Sequence, residues 1–211
     1  MTYVLYGDKG SGAFCVEAAL AEAGADYRFE TISLEKNEQR SEAYRAINPT
    51  GKVPALRLPT GEIVTESAGL LLTIAGRHPD AQLLPPPASA ARADAYRWLL
   101  FMASEIYPMV EISDYPERFV LPGEAEALRE KAKARIRERI QIAANAIAGP
   151  WFLASGFSVV DIYAVMFSRW RGSVGREWLE NNIPELHMLA RRVFERPKIQ
   201  PVWKKHFPDP A

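Results

Sequence analysis

The spacing of apolar and polar positions changes character along the chain, and the change divides it. Tyr3-Val-Leu-Tyr6 is a short apolar run ending at a glycine and reads as a strand, while the Ala-rich stretch Ala13 to Ala23 carries helical spacing and is stopped by Gly24. Tyr27 to Ile32 predicts a second strand, Ser41 to Ala46 a short helix, Val53 and Ile63 the starts of two further strands, and Glu66 the start of another helix. From His78 to Ala88 runs Pro-Asp-Ala-Gln-Leu-Leu-Pro-Pro-Pro, which cannot continue a helix and reads as a linker. The expected division is residues 1–80 as an α/β domain and residues 88–211 as an all-helical one.

In the second half Tyr96, Leu99, Leu100, Phe101 and Ile106 keep helical spacing up to Pro108, where the helix should kink or stop. Leu128, Ala132, Ile136, Ile140 and Ile147 form one apolar face, and Arg129, Lys133, Arg137 and Glu138 occupy the other sides, which predicts a solvated charged surface. Ser158-Val-Val-Asp161 has the form of a capping box, with Asp in place of the usual Glu or Gln, and predicts a helix start with a structural role.

Composition narrows the classes of function. Twenty-six basic residues balance 26 acidic ones, so no polyanionic partner such as nucleic acid is expected. At 48% hydrophobic content the 211 residues are enough to bury a core in each half. One cysteine excludes an internal disulfide and a cysteine-based zinc cluster, and the three histidines have no metal-ligand spacing, so no metal is expected. The Met-Thr-Tyr-Val start lacks the pattern of a signal peptide, and no apolar run reaches the ~20 residues needed to span a bilayer. A soluble, cytoplasmic protein without a membrane partner is the expectation.

The candidate chemistry lies in the first half. Asn48-Pro-Thr-Gly-Lys-Val-Pro-Ala-Leu56 combines a turn with a proline at a strand start, and Val53 before that proline is held extended, with backbone groups free to pair with an extended ligand. Glu66-Ser67 then opens a helix, where free N–H groups and the positive dipole end favour a carboxylate and the Glu side chain would hold an amine. Together these features outline a peptide-binding site.

In this pair of motifs, their order and their spacing, the chain resembles the glutathione transferases along its whole length. The resemblance implies a thioredoxin-like βαβαββα domain followed by a helical domain, glutathione as co-substrate, a small hydrophobic electrophile as second substrate, and a homodimer. It implies that Val53 pairs its backbone with the cysteinyl part of glutathione, that Pro54 is cis, and that Glu66 and Ser67 hold the γ-glutamyl group. Lys36 and Lys52 are the cations it offers for the glycine carboxylate. Thiol activation by transferases needs a hydrogen-bond donor, and Ser11, between the first strand and first helix, stands where serine-type members put theirs. Ser11 is equally well placed to cap the helix from Ala13. Tyr6 at the strand end and Cys15, one helical turn after Ser11, are the rivals. Tyr107, Met109, Ile112, Tyr115 and Trp170 are candidates for an apolar electrophile pocket. Glutathione-dependent isomerase, dehalogenase or disulfide reductase chemistry, or noncatalytic binding, remains compatible with the same motifs.

Overall fold

The computed structural model describes residues 2–208. The chain divides into two compact units, Met1–Leu84 with Arg192–Ala211, and Pro85–Arg191.

The first unit is built on a four-stranded sheet of order β2-β1-β3-β4. Its strands are β1 (Tyr3–Gly7), β2 (Tyr27–Thr31), β3 (Ala55–Arg57) and β4 (Ile63–Thr65). β1 lies between two neighbours and is buried at every residue, as its unbroken apolar run requires. Helix α1 (Ala13–Ala23) ends as expected at Gly24, held left-handed at φ 66° with its N–H on the Ala21 carbonyl. A single turn, α2 (Glu42–Arg45), starts from Ser41, whose hydroxyl caps the Tyr44 N–H, and α3 (Ser67–Arg77) closes the domain.

The last segment does not follow the 88–211 division read from the sequence. Helix α11 (Ile199–His206) groups with the first unit. Its fully buried Trp203 meets Phe14 of α1 edge-on at 5.3 Å, and Phe207 meets the same ring at 4.9 Å. Burying two large aromatic side chains is worth several kcal/mol, enough to hold this segment on α1.

The second unit is helical. Helices α4 (Ala90–Phe101) and α5 (Tyr107–Asp114) are joined without a gap by a wide π turn over Met102–Ile106. Pro108 has no N–H to donate and its ring crowds the turn before it, and the wider turn makes the room. The long α6 (Ala125–Asn145) buries Ala132, Ile136, Ile140, Ala143 and Ala144. Its charged side is not simply solvated. Arg129 donates to the Ser113 carbonyl at 2.5 Å and Arg137 to the Val174 carbonyl at 2.8 Å, satisfying carbonyls at the ends of α5 and α8 (Arg171–Val174). Helix α7 (Val159–Phe167) is buried at every residue, and α9 (Arg176–Asn182) and α10 (Pro184–Phe194) follow.

The start of α7 is the expected capping box. The Ser158 hydroxyl accepts from Val160 N–H at 3.2 Å, and Asp161 accepts from Ser158 N–H at 2.7 Å. The second Asp161 oxygen accepts from Phe152 N–H at 2.7 Å, so one carboxylate also fixes the preceding loop. Burial raises the Asp161 carboxyl to about 6, against the pull of those hydrogen bonds.

Candidate functional site

Strand register gathers the candidate residues at one end of the sheet. Gly7 of β1 stands opposite Thr31 of the parallel β2, Tyr6 opposite Ala55 of the antiparallel β3, and Ala55 opposite Thr65 of β4. The C-terminal ends of β1, β2 and β4 therefore meet the N-terminal end of β3. Across that end, in strand order, come Lys36 after β2, Ser11 after β1, Lys52-Val53-Pro54 before β3, and Glu66-Ser67 after β4. Three inter-strand gaps at ~4.8 Å make about 14 Å. An extended tripeptide backbone reaches roughly 10 Å before its side chains are counted.

The loop before β3 is held from inside by Asn48, read from the sequence only as part of a turn, and by Tyr44, which was given no role. Asn48 is buried and donates Nδ2 to the Lys52 carbonyl at 2.7 Å, and the Tyr44 hydroxyl donates to the same oxygen at 2.8 Å. Burial pushes the Tyr44 phenol up to about 12, so it remains a donor at any physiological pH. The Asn48 Oδ1 accepts from Thr50 N–H and its hydroxyl, and the Asn48 carbonyl accepts from Gly51 N–H. Val53–Pro54 is cis, the isomer the resemblance implies. Among the described residues nothing pairs with the Val53 backbone, which lies just outside the ladder of β3. Val53 lies in a bend two residues before β3, and a backbone left unpaired beside a sheet is where a peptide adds as a further strand.

Glu66 stands at φ 65°, ψ 108°, a conformation that costs a non-glycine residue about 1–3 kcal/mol. It is over-determined on both sides. Thr65 is fixed in the ladder opposite Ala55, and the Glu66 carbonyl accepts from Leu70 N–H at 2.8 Å to start α3. The Glu66 side chain is exposed, and Ser67 is buried as the first residue of the helix. An N-terminal helix end with an exposed carboxylate before it presents backbone donors for an anion and one acceptor for a cation.

Ser11 is half-buried in the loop after β1. Its hydroxyl donates to the Asp8 carbonyl at 2.7 Å and accepts from Ala13 N–H at 3.2 Å. Gly12 rather than Ser11 stands at the N-cap of α1, and the Ser11 oxygen supports the first N–H of the helix from one residue further out while its proton sits on a backbone acceptor. Asp8 anchors the same loop by accepting from Leu34 N–H at 2.8 Å. The rivals are differently engaged. Cys15 is fully buried, gives its thiol to the Gly12 carbonyl at 3.1 Å, and is pushed by burial well above the ordinary thiol range. Tyr6 packs edge-on against Tyr44 within the core of Val4, Ala55 and their neighbours. Lys36 and Lys52 are both exposed at the candidate end of the sheet.

In the helical unit Tyr107 and Trp170 interlock edge-on at 5.1 Å, each also against Phe167. Tyr115 is covered by the Arg118 guanidinium at 3.7 Å. Among the described residues no group of three His, Cys, Asp or Glu is arranged to hold a metal ion, and no helix is long and apolar enough to cross a membrane.

A mixed four-stranded sheet with a cis-proline strand start, a strained Glu-Ser helix entry and a following helical unit defines a class, and comparison with known proteins gives the same one. The profile of the glutathione S-transferase N-terminal domain matches residues 13–75. The chain is 32% identical over 205 residues to the GST-like protein YncG of Escherichia coli K12, itself uncharacterized, covering 96% of this chain and 97% of that one. It is 27% identical over 201 residues to the glutathione S-transferase GstA of Escherichia coli O157:H7, covering 93% and 94%. A glutathione transferase homologue from Sulfitobacter, crystallised with bound glutathione, superposes with a TM-score of 0.84 at 25% identity over 97% of this chain and 98% of the other. The chain belongs to the glutathione S-transferase family.

Proposed function

We propose that the protein is a glutathione transferase that binds glutathione extended across the end of its sheet and activates the thiol through the Ser11 hydroxyl. One observation supports this reading: strand register brings the segments that carry Ser11, Val53-Pro54 and Glu66-Ser67 to the same end of the sheet. Val53 pairs its backbone with the cysteinyl residue, Glu66 receives the γ-glutamyl amine, and Ser67 with the start of α3 receives its carboxylate. Lys36, at the opposite side of the sheet end, takes the glycine carboxylate, with Lys52 as the second cation. Family precedent supports a two-fold dimer.

The work asked of Ser11 is modest in energy. A thiol with an ordinary pKa near 8.5 is about 3% ionised at pH 7, and lowering it to about 6.5 gives roughly 75% thiolate. A Brønsted slope of ~0.45 takes back about eightfold in nucleophilicity, which leaves a few-fold net gain, and positioning of the electrophile supplies the remainder. Ser11 needs only to turn its O–H from the Asp8 carbonyl to the sulfur, exchanging a neutral hydrogen bond for a charge-assisted one about twice as strong. The N–H bond accepted from Ala13 polarises the hydroxyl toward donation. The thiolate then attacks an electrophilic carbon, a C–S bond forms, and the leaving group departs with its electron pair while the thiol proton passes to solvent.

The test is calorimetric titration with glutathione followed by turnover of a small panel of haloarenes and disulfides. Glu66→Gln should weaken glutathione binding roughly tenfold or more, the worth of a hydrogen bond to a charged group, with a smaller change in kcat. Native protein that bound no glutathione would end the enzyme reading. Turnover of mixed disulfides without haloarene conjugation would replace transfer with reductase chemistry.

A further inference from the structure

Behind the Ser11 loop lies a buried polar cluster that the proposed reaction does not use. Glu17 of α1 is almost fully buried, and three groups from two elements, α11 and β2, face it. His206 Nε2 stands 2.7 Å from one carboxylate oxygen, and Lys205 donates to both oxygens at 2.7 and 2.9 Å. The Tyr27 hydroxyl of β2 donates at 3.2 Å. Burial alone would raise the Glu17 carboxyl, but the hydrogen bonds from His206 and Lys205 and the Lys205 charge bring it below its ordinary value. The Lys205 ammonium also sits 3.5 Å from the Phe29 ring centroid, so its position is fixed from a second side.

The other nitrogen of His206 gives the cluster a direction. Gly10 N–H donates to His206 Nδ1 at 3.1 Å. An accepting Nδ1 carries no proton, so the ring proton lies on Nε2 and points at Glu17. Phe14, Phe29 and Phe207 surround the imidazole edge-on or tilted and leave it little freedom to turn. Gly10 is held left-handed at φ 72° and immediately precedes Ser11. The chain from the carboxylate to the hydroxyl is therefore Glu17, His206, Gly10, Ser11, and it joins a helix near the C-terminus to a loop 196 residues earlier.

We propose that His206 is a positioning residue for thiol activation: held by Glu17 in its Nε2–H form, it pins the Gly10 amide and so sets where the Ser11 hydroxyl points. Asp8, through Leu34, ties the loop on its other side. With both ties in place the hydroxyl is fixed relative to Val53. With the Gly10 tie cut, the loop keeps its sequence and its cap but not its aim. The proposal rests on Ser11 acting on the thiol, and it adds a requirement that the loop alone does not supply.

Two single-residue changes separate the ring's two contacts. His206→Gln keeps an N–H donor at the position of Nε2 for Glu17 and removes the acceptor for Gly10. His206→Asn keeps an acceptor at the position of Nδ1 for Gly10 and removes the donor to Glu17, whose charge Lys205 still pairs. Gly10 amide exchange by nitrogen-15 NMR and ultraviolet titration of the bound glutathione thiol would be measured in both. In His206→Gln, Gly10 exchange should rise and the thiolate fraction at pH 7 should fall about tenfold, the worth of one hydrogen bond to a charged sulfur. In His206→Asn both should stay near native even though the protein is less stable. A purely structural role predicts the reverse, with function following stability. Unchanged Gly10 exchange and an unchanged thiol titration in His206→Gln would overturn the proposal. A native protein that binds glutathione without lowering its thiol would instead remove Ser11 from the chemistry, and Gly10 exchange would still decide whether His206 pins the loop.

Discussion

Helices α1 and α7 each follow a serine and carry a buried carboxylate, Ser11 with Glu17 and Ser158 with Asp161, but they begin differently. Ser158 is the N-cap of α7 with Asp161 as its box partner, whereas Gly12 stands at the N-cap of α1 and Ser11 lies one residue before it. At α7 one carboxylate oxygen turns back three residues to its own serine and cap and the other holds Phe152 nine residues earlier, so its bonds stay within one short segment. At α1 the carboxylate turns away to Lys205 and His206, 188 and 189 residues later, and leaves Ser11 with a hydroxyl proton on a backbone carbonyl. A locally closed network holds a scaffold. The network at α1 reaches across the sequence, which is the arrangement the proposed control of Ser11 by His206 requires.

The difference can be broken most heavily at α7. Asp161→Ala leaves two buried N–H groups, on Phe152 and Ser158, without an acceptor. At ~1–3 kcal/mol each the expected loss is roughly 2–6 kcal/mol, read as the urea unfolding midpoint. A loss within experimental error would mean that the box is ornamental. At the site the balance should invert. Glu66→Gly relieves a positive φ and should raise stability by about 1 kcal/mol while weakening glutathione binding at least tenfold. A variant that lost stability would show that the backbone there is not strained.

The two serines give a finer contrast. Ser158→Ala should cost about 0.5–2 kcal/mol, as loss of a helix cap does, and equal stability of the two proteins by thermal unfolding would contradict it. The smallest effects lie in pH dependence, where the buried carboxylates act with opposite sign. Asp161 is raised on folding, so its contribution is fully present below its unfolded pKa near 3.8 and is lost as pH rises through about 6. Glu17 is lowered on folding, so its contribution is present above its unfolded value near 4.5 and is lost as pH falls through the folded one. Denaturation midpoints between pH 3 and 7 should show a weaker acid limb in Glu17→Gln, and an acid limb as steep as the native one would refute the assignment.

What could be read from the sequence follows the reach of each interaction. The limits of α1, the Gly24 stop and the Ser158–Asp161 box are decided within about four residues and show in the pattern of side chains. The cis Val53–Pro54 bond was legible only through family resemblance, because period and composition do not encode an isomer. The inward roles of Asn48 and Tyr44 lay within eight residues, yet both side chains serve one carbonyl, and nothing in the pattern marks that oxygen. The return of Trp203, Lys205 and His206 to α1 was invisible for a different reason. Helical spacing near the C-terminus shows that a face will be buried but not against what. The π turn before Pro108 shows a proline crowding handled by widening the helix rather than ending it.

The central claim is that Ser11 turns from its loop to the glutathione sulfur. Ultraviolet titration of the bound thiol, with binding confirmed by calorimetry, should be run on the native protein and on Ser11→Ala. The account predicts a thiol ionising well below free glutathione in the native complex and a return to the free value in Ser11→Ala, about a 25-fold loss of thiolate at pH 7. Two proteins that bind glutathione and titrate alike at the same lowered value would contradict it and assign activation to another donor.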